Sequence, residues 1–213
     1  GFVGLIILEP DFGTAVSMAG TAVIMLFACG TRLLHLLVLA GMAMPLFGLM
    51  VWLEPYRMER ILSFLDPWAD PMNTGWNIIQ SLLAIGSGGL FGLGLGSGRQ
   101  KFFYLPEQHT DFIFAILGEE LGFLGTAVTL LLFFLLAWRG FRIALRANDL
   151  FGCFMAVGIT TMIILQAVLN IGVVSGLLPV TGVTLPFISF GSSSMVVTLA
   201  GVGILLNISK QIH

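Results

Sequence analysis

The sequence predicts an all-α, polytopic membrane helix bundle, and three observations predict it. Of the 213 residues, 57% are hydrophobic and only 9% charged, with a mean hydropathy of +1.03; an ordinary soluble domain is about 25% charged. The apolar residues gather into about five full spans, matching the ~20 residues a helix needs to cross hydrocarbon. The cationic residues are segregated, since Arg32, Arg139, Arg142, Arg146 and Lys210 fall in short connections or at the chain end, which places those ends on the cytoplasmic side. The opposite short connections, around Glu9 to Phe12 and Ser175 to Pro186, carry no Lys or Arg. This composition excludes a soluble globular domain and a nucleic-acid binder. Residues 1–213 read as a single membrane domain whose longest connection, 54–110, is an extracytoplasmic loop with re-entrant or interfacial helices.

Residues 1–8 read as the tail of an upstream helix stopped at Glu9-Pro10-Asp11, because the residue before a proline is pushed out of the helical region. Gly1 opens in the middle of an apolar run without an initiator Met or a signal-peptide flank, so a fragment lacking earlier helices is expected. Residues 13–29 form the first full span, closed by Cys29-Gly30-Thr31-Arg32, and 33–53 return outward with a kink at Pro45. A proline is tolerated there because neighbouring groups satisfy the freed carbonyl. Cys29 and Cys153 lie at cytoplasmic helix ends and read as reduced thiols.

The 54–110 connection is too long for an ordinary loop, and its composition argues against disorder. Tyr56 to Arg60 mixes charged and apolar positions as an interfacial segment does, and Asp66-Pro67 and Asp70-Pro71 supply turns. From Trp76 to Ile85, Asn77, Gln80 and Ser81 share one helical face and Trp76, Ile79, Leu82 and Leu83 another. This stretch is too short to span and reads as a re-entrant or surface helix buried against protein. The glycines at 86, 88, 89, 92, 94, 96 and 98 lack phosphate-loop spacing, and close backbone packing or a hinge explains them better.

Residues 112–137 run inward as the next span, with Gly118, Gly122 and Gly125 permitting close approach of another helix. The basic stretch Trp138 to Asn148 is its cytoplasmic loop. Residues 151–172 return outward with Thr160, Gln166 and Asn170 as an interior polar stripe, and the last span covers roughly 190–208. The loop between them is rich in Gly, Pro and Thr with apolar flanks, so it packs on protein.

The charges cluster in one place. Lys101, Glu107, His109 and Asp111 lead directly into Phe-Ile-Phe-Ala-Ile-Leu, where an aqueous loop meets lipid. Glu119 and Glu120 follow inside the same helix, ~12–14 Å from Asp111 at 1.5 Å per residue. Carboxylates at such a depth are expensive and mark function by default. The residues by themselves favour Asp111 as an N-cap, worth ~1 kcal/mol, a place that Thr110 could take instead. Glu119, about 80° round the helix from Asp111, is either a supporting residue or a structural acceptor for Asn170, Gln166 or a backbone amide. Arg57, Arg60, Arg99 and Lys101 are the outer-side cations, and each alone also reads as a residue snorkelling to the headgroups. His109 either relays a proton and orients Asp111 or hydrogen-bonds locally.

These residues carry a family resemblance. Asn170 to Ser194, the stretch LPEQHTDFIFAILGEELGFLG and the stretch EPDFGTA resemble the SEDS family of FtsW, SpoVE and RodA, most closely its division and sporulation branch. Phe190 stands where a Tyr is usual and Ser192 where a second Gly is usual, so no tyrosine hydroxyl acts there. The resemblance implies ten membrane helices, of which this chain supplies roughly the second half. It implies a peptidoglycan glycosyltransferase that polymerises lipid II at the outer face of the bacterial plasma membrane during septum synthesis, partnered by a class B penicillin-binding transpeptidase and other division proteins. A lipid II transporter and a non-catalytic scaffold are the alternatives. Asp111 matches the family's catalytic aspartate and is the general base on this reading. Arg57, Arg60, Arg99, Lys101, Glu107 and His109 are substrate-binding candidates, and Glu119, Thr110 and Asn170 are supporting ones. No cofactor is certain, and a divalent Mg or Mn ion at the pyrophosphate is the one considered.

Overall fold

The computed structural model describes residues 12–53, 55–98 and 110–211. It contains helices α1 (Phe12–Ala28), α2 (Leu33–Leu53), α3 (Pro55–Leu65), α4 (Trp76–Gly88), α5 (Ile113–Arg146), α6 (Leu150–Val174) and α7 (Ser192–Lys210), with a 3-10 turn at Pro67–Ala69. Among the described residues there is no strand. Pro45 lies inside an unbroken α2. The expected inner loop after Ala137 is instead helical, since α5 runs on to Arg146. Arg139 and Arg142 therefore stand on the last turns of a long helix; Ala, Leu and Arg are strong helix formers and nothing there breaks the ladder.

α6 is the centre of the bundle. Half of its most apolar window is buried, against 17% for α5 and 11% for α7. Contacts along α6 fix the directions of its neighbours. An added Cβ would meet Leu165 from Gly20 and Met25 from Gly158, so α1 runs antiparallel to α6. Gly140 faces Thr160 on the α5 side, and Gly201 faces Ile159 on the α7 side. α5, α6 and α7 are long and apolar enough to cross a membrane, while Gly13–Ala28 and Leu33–Pro45 are shorter apolar stretches. Leu34, Leu37, Met44, Phe123, Leu132, Phe134 and Val196 are all exposed, more apolar surface than a soluble monomer shows. Hydrocarbon or further protein covers such a surface.

The glycine-rich segment does not cap α4 and leave. It enters a break in α5. Gly122 has φ 66° and ψ −162° in mid-helix, a region essentially reserved for glycine. Around it the loop supplies the missing backbone partners: Leu93 N–H donates to the Glu119 carbonyl (2.9 Å) and Gly94 N–H to that of Glu120 (3.1 Å). In return Phe123 N–H donates to Gly89 (2.8 Å) and Leu124 N–H to Leu90 (3.2 Å). Non-helical backbone survives at membrane depth only when protein satisfies it. Close backbone packing, expected for this segment, is thus what occurs, against the break in α5, while Gly118 lets α4 approach at Ile85 and Gly88.

α4 is buried against protein, with Gln80 and Ser81 of its polar face and Ile79 of the other face turned inward. Ile78, Ile79, Gln80, Ser81 and Ala84 are buried while Leu82 and Leu83 are exposed. Ser81 Oγ lies within hydrogen-bonding distance of the carbonyls of Ile78 (2.9 Å) and Val174 (3.0 Å). Lipid is as apolar as leucine, so the helix gains more by satisfying its polar groups against α6 than by burying leucines. Cys29 and Cys153 are both free thiols.

Candidate active site

The site grows from the turn that starts α5. Phe112, Phe114 and Ala115 are buried with Ala84, Ala167, Val173, Val174 and Leu185 in the main core cluster. Burying the aromatic residue next to it leaves Asp111 only partly covered. The N-cap of α5 is Phe112, which makes no side-chain cap, so Asp111 stands one position outside the cap that it was also read to fill. A carboxylate there stands beside the free N–H groups of the first turn of α5, which favour negative charge.

Two side chains from distant parts of the chain grip this turn. Asn170, near the outer end of α6 and 1% exposed, donates from Nδ2 to the Asp111 carbonyl and to the Val183 carbonyl, each at 2.7 Å. Both amide hydrogens are thereby used, so Asn170 has none to give Glu119. Ser189 Oγ donates to the Thr110 carbonyl at 2.5 Å and accepts from Leu185 N–H at 2.7 Å. The 175–191 loop supplies Ser189 and brings Gly182, at φ 73°, against the acid. A Cβ built on Gly182 would stand 3.6 Å from Asp111 Oδ2. This loop packs on protein as expected, with Thr181, Val183, Leu185 and Ser189 buried.

Beside the turn a groove of about 650 Å³ is lined by Ile113, Ile188, Ser189, Phe190, Gly191, Ser192 and Met195. It is apolar except for its serines. Gly191 is extended and Ser192 is the first residue of α7, so the position where a second Gly is usual requires no glycine conformation.

The other candidates divide. Arg60 Nη1 donates to the Val180 carbonyl (3.1 Å), tying α3 to the 175–191 loop. It lines a polar cavity of about 170 Å³ with Glu59, Ser63, Asn73, Thr74, Asn77 and Val180. Glu119 is buried at 2% exposure, and its Oε2 lies against Gly98 at the end of the glycine-rich loop. Thr110 and Asn170 thus belong to the Asp111 turn, whereas Glu119 sits deeper along α5. Arg99, Lys101, Glu107 and His109 lie outside the described residues, as do Glu9 and Asp11, and so does the side chain of Arg57. Ser189 was not among the residues singled out from the sequence; its only local signal is a polar residue between Ile188 and Phe190. Among the described residues no three His, Cys, Asp or Glu side chains converge to hold a metal ion.

Fold and site together define a helical membrane protein with a partly buried acid in the turn that starts a spanning helix, its backbone carbonyl held by Asn170. The chain belongs to the cell cycle protein family of FtsW, RodA and SpoVE, whose model matches residues 2–213. It is 56% identical over 206 residues to stage V sporulation protein E of Bacillus subtilis (strain 168), covering 97% of this chain and 56% of that protein. It is 48% identical over 212 residues to a probable peptidoglycan glycosyltransferase FtsW of Geobacter sp. (strain M18), covering 100% and 58%. Among solved structures it resembles a chain of a peptidoglycan synthase complex that coordinates polymerization and crosslinking, with TM-score 0.81 and 36% identity over 100% of this chain and 59% of that one. The rod shape determining protein RodA of Thermus thermophilus matches with TM-score 0.64 and 33% identity, covering 100% of this chain and 54% of that one. The chain thus spans little more than half the length of the curated relatives it matches.

Proposed function

We propose that this chain is the catalytic half of a peptidoglycan glycosyltransferase that extends glycan strands from lipid II at the outer face of the bacterial plasma membrane, in division or sporulation. The observation that carries the reading is the juxtaposition at the start of α5: an aspartate whose backbone is clamped, with an apolar groove beginning two residues away at Ile113. An amphiphilic substrate with a sugar headgroup and a hydrocarbon chain needs that pairing. The relatives' names support the same class, and the structural match to a complex that coordinates polymerization and crosslinking supports a crosslinking partner, which we take to be a class B transpeptidase.

In this proposal Asp111 takes the proton from the acceptor 4-hydroxyl as that oxygen attacks the anomeric carbon of the donor. The bond from that carbon to the pyrophosphate breaks, and undecaprenyl pyrophosphate leaves. A general base of this kind contributes ~10² to 10⁴ in rate. Arg57, Arg60, Arg99 and Lys101 neutralise the departing charge. A divalent Mg or Mn ion there would draw its ligands chiefly from phosphate oxygens and one or two carboxylates.

The test is Asp111→Asn in the full-length protein with its transpeptidase, supplied with lipid II and read by gel separation of glycan products. Loss of polymer with intact folding and complex formation is expected. Polymer at normal yield refutes the base assignment.

A further inference from the structure

We propose that Ser189 is a positioning residue for Asp111, acting through the backbone carbonyl of Thr110; this rests on the base assignment above. The hydrogen bonds leave Ser189 one arrangement. Leu185 N–H can only donate, so a lone pair of Oγ receives it, and the Thr110 carbonyl can only accept, so the hydroxyl proton points there. Ser189 is 7% exposed, and water does not compete for either bond. Asn170 holds the next carbonyl along, that of Asp111. Two consecutive peptide oxygens are thus held by donors from two different elements. Between these anchors the backbone of Asp111 has little freedom to translate or rotate. The same Ser189 lines the groove that opens at Ile113, so it links the wall of the groove to the placement of the acid.

Clamping of this kind governs rate more than affinity. A base displaced by ~1 Å costs on the order of 10²-fold in rate, while a substrate held by its sugar, phosphates and chain still binds. The experiment compares full-length wild type, Ser189→Ala and Ser189→Thr with the partner transpeptidase, measuring kcat and KM for lipid II polymerisation beside the melting midpoint in detergent. Expected for Ser189→Ala is a fall in kcat of about 10-fold or more, with KM within about two-fold and the midpoint lowered by roughly 4–8 °C for the two lost hydrogen bonds. Ser189→Thr, which keeps the hydroxyl, restores most of kcat. A normal kcat in Ser189→Ala overturns the proposal, and so does a kcat loss that Thr does not rescue. If the Ala variant does not fold, Ser189→Cys decides, because a thiol fills the space but donates weakly: lowered kcat supports the role and normal kcat ends it. Failure of the underlying reading looks different, since Asp111→Asn would then polymerise normally whatever Ser189 variants do.

Discussion

Replacing Gly122 by Ala tests the broken helix directly. At φ 66° and ψ −162° an L-residue is strained by ~1–3 kcal/mol. The new methyl would also meet the carbonyl carbon and oxygen of Leu90 at 2.8 Å, and the Gly92 nitrogen closer still. All of these are backbone atoms, so the loop must retreat. Retreat gives up the bonds from Phe123 to Gly89 and from Leu124 to Leu90, at ~1 kcal/mol each when water cannot replace them. The sum is roughly 3–5 kcal/mol, which at ~2–4 °C per kcal/mol for a chain of this size lowers the melting midpoint by about 6–20 °C. The control is Gly203→Ala in α7, where an added Cβ meets nothing within 4 Å; there the midpoint should hold or rise, by up to ~1 kcal/mol of helix propensity. The assay is survival of the monodisperse gel-filtration peak after heating in detergent. A Gly122→Ala protein that melts with the wild type would show that the loop and the break are not coupled.

Three further outcomes follow from the same contacts. Asn170→Asp places acceptor oxygens against the Asp111 and Val183 carbonyls, so it should melt below Asn170→Ala, with a total loss of about 2–5 kcal/mol and little polymerisation; an Asp variant as stable as the Ala variant contradicts the amide orientation. Ser81→Ala removes the hydroxyl link from α4 to the Val174 carbonyl and should cost about 0.5–1.5 kcal/mol in a denaturant or thermal series with activity retained. Arg60→Ala should raise KM for lipid II by roughly 10-fold or more, as expected for loss of a charge-assisted phosphate contact, and an unchanged KM in steady-state polymerisation would remove Arg60 from the phosphate site.

Much of the architecture was legible without coordinates because membrane spans are read from local, additive signals. The helix α2 runs from Leu33 to Leu53 as its hydropathy requires, and α1 and α6 begin and end within a few residues of the expected limits. The acid-bearing junction at Asp111 was visible for the same reason: a charge beside an apolar run stands out along the chain. Asn170 was marked as an interior polar residue, but nothing local said which groups it would meet.

The chain alone therefore settled the all-helical membrane class and most span limits, and it singled out Asp111 as a charge beside an apolar run. The tertiary structure decided the rest. The contacts that build the site join residues 59, 79 and 120 positions apart, Asn170 to Asp111, Ser189 to Thr110 and Arg60 to Val180. Such pairs have no period and no neighbour in sequence to announce them. The same limit hid the docking of the glycine-rich loop at Gly122, since glycines record that something approaches closely and not what. It also left open which face of α4 turns inward, because hydropathy cannot distinguish a leucine turned toward lipid from one turned toward a core of equal apolarity. Only the need to pair buried polar groups across helices does so, and that need is met in three dimensions.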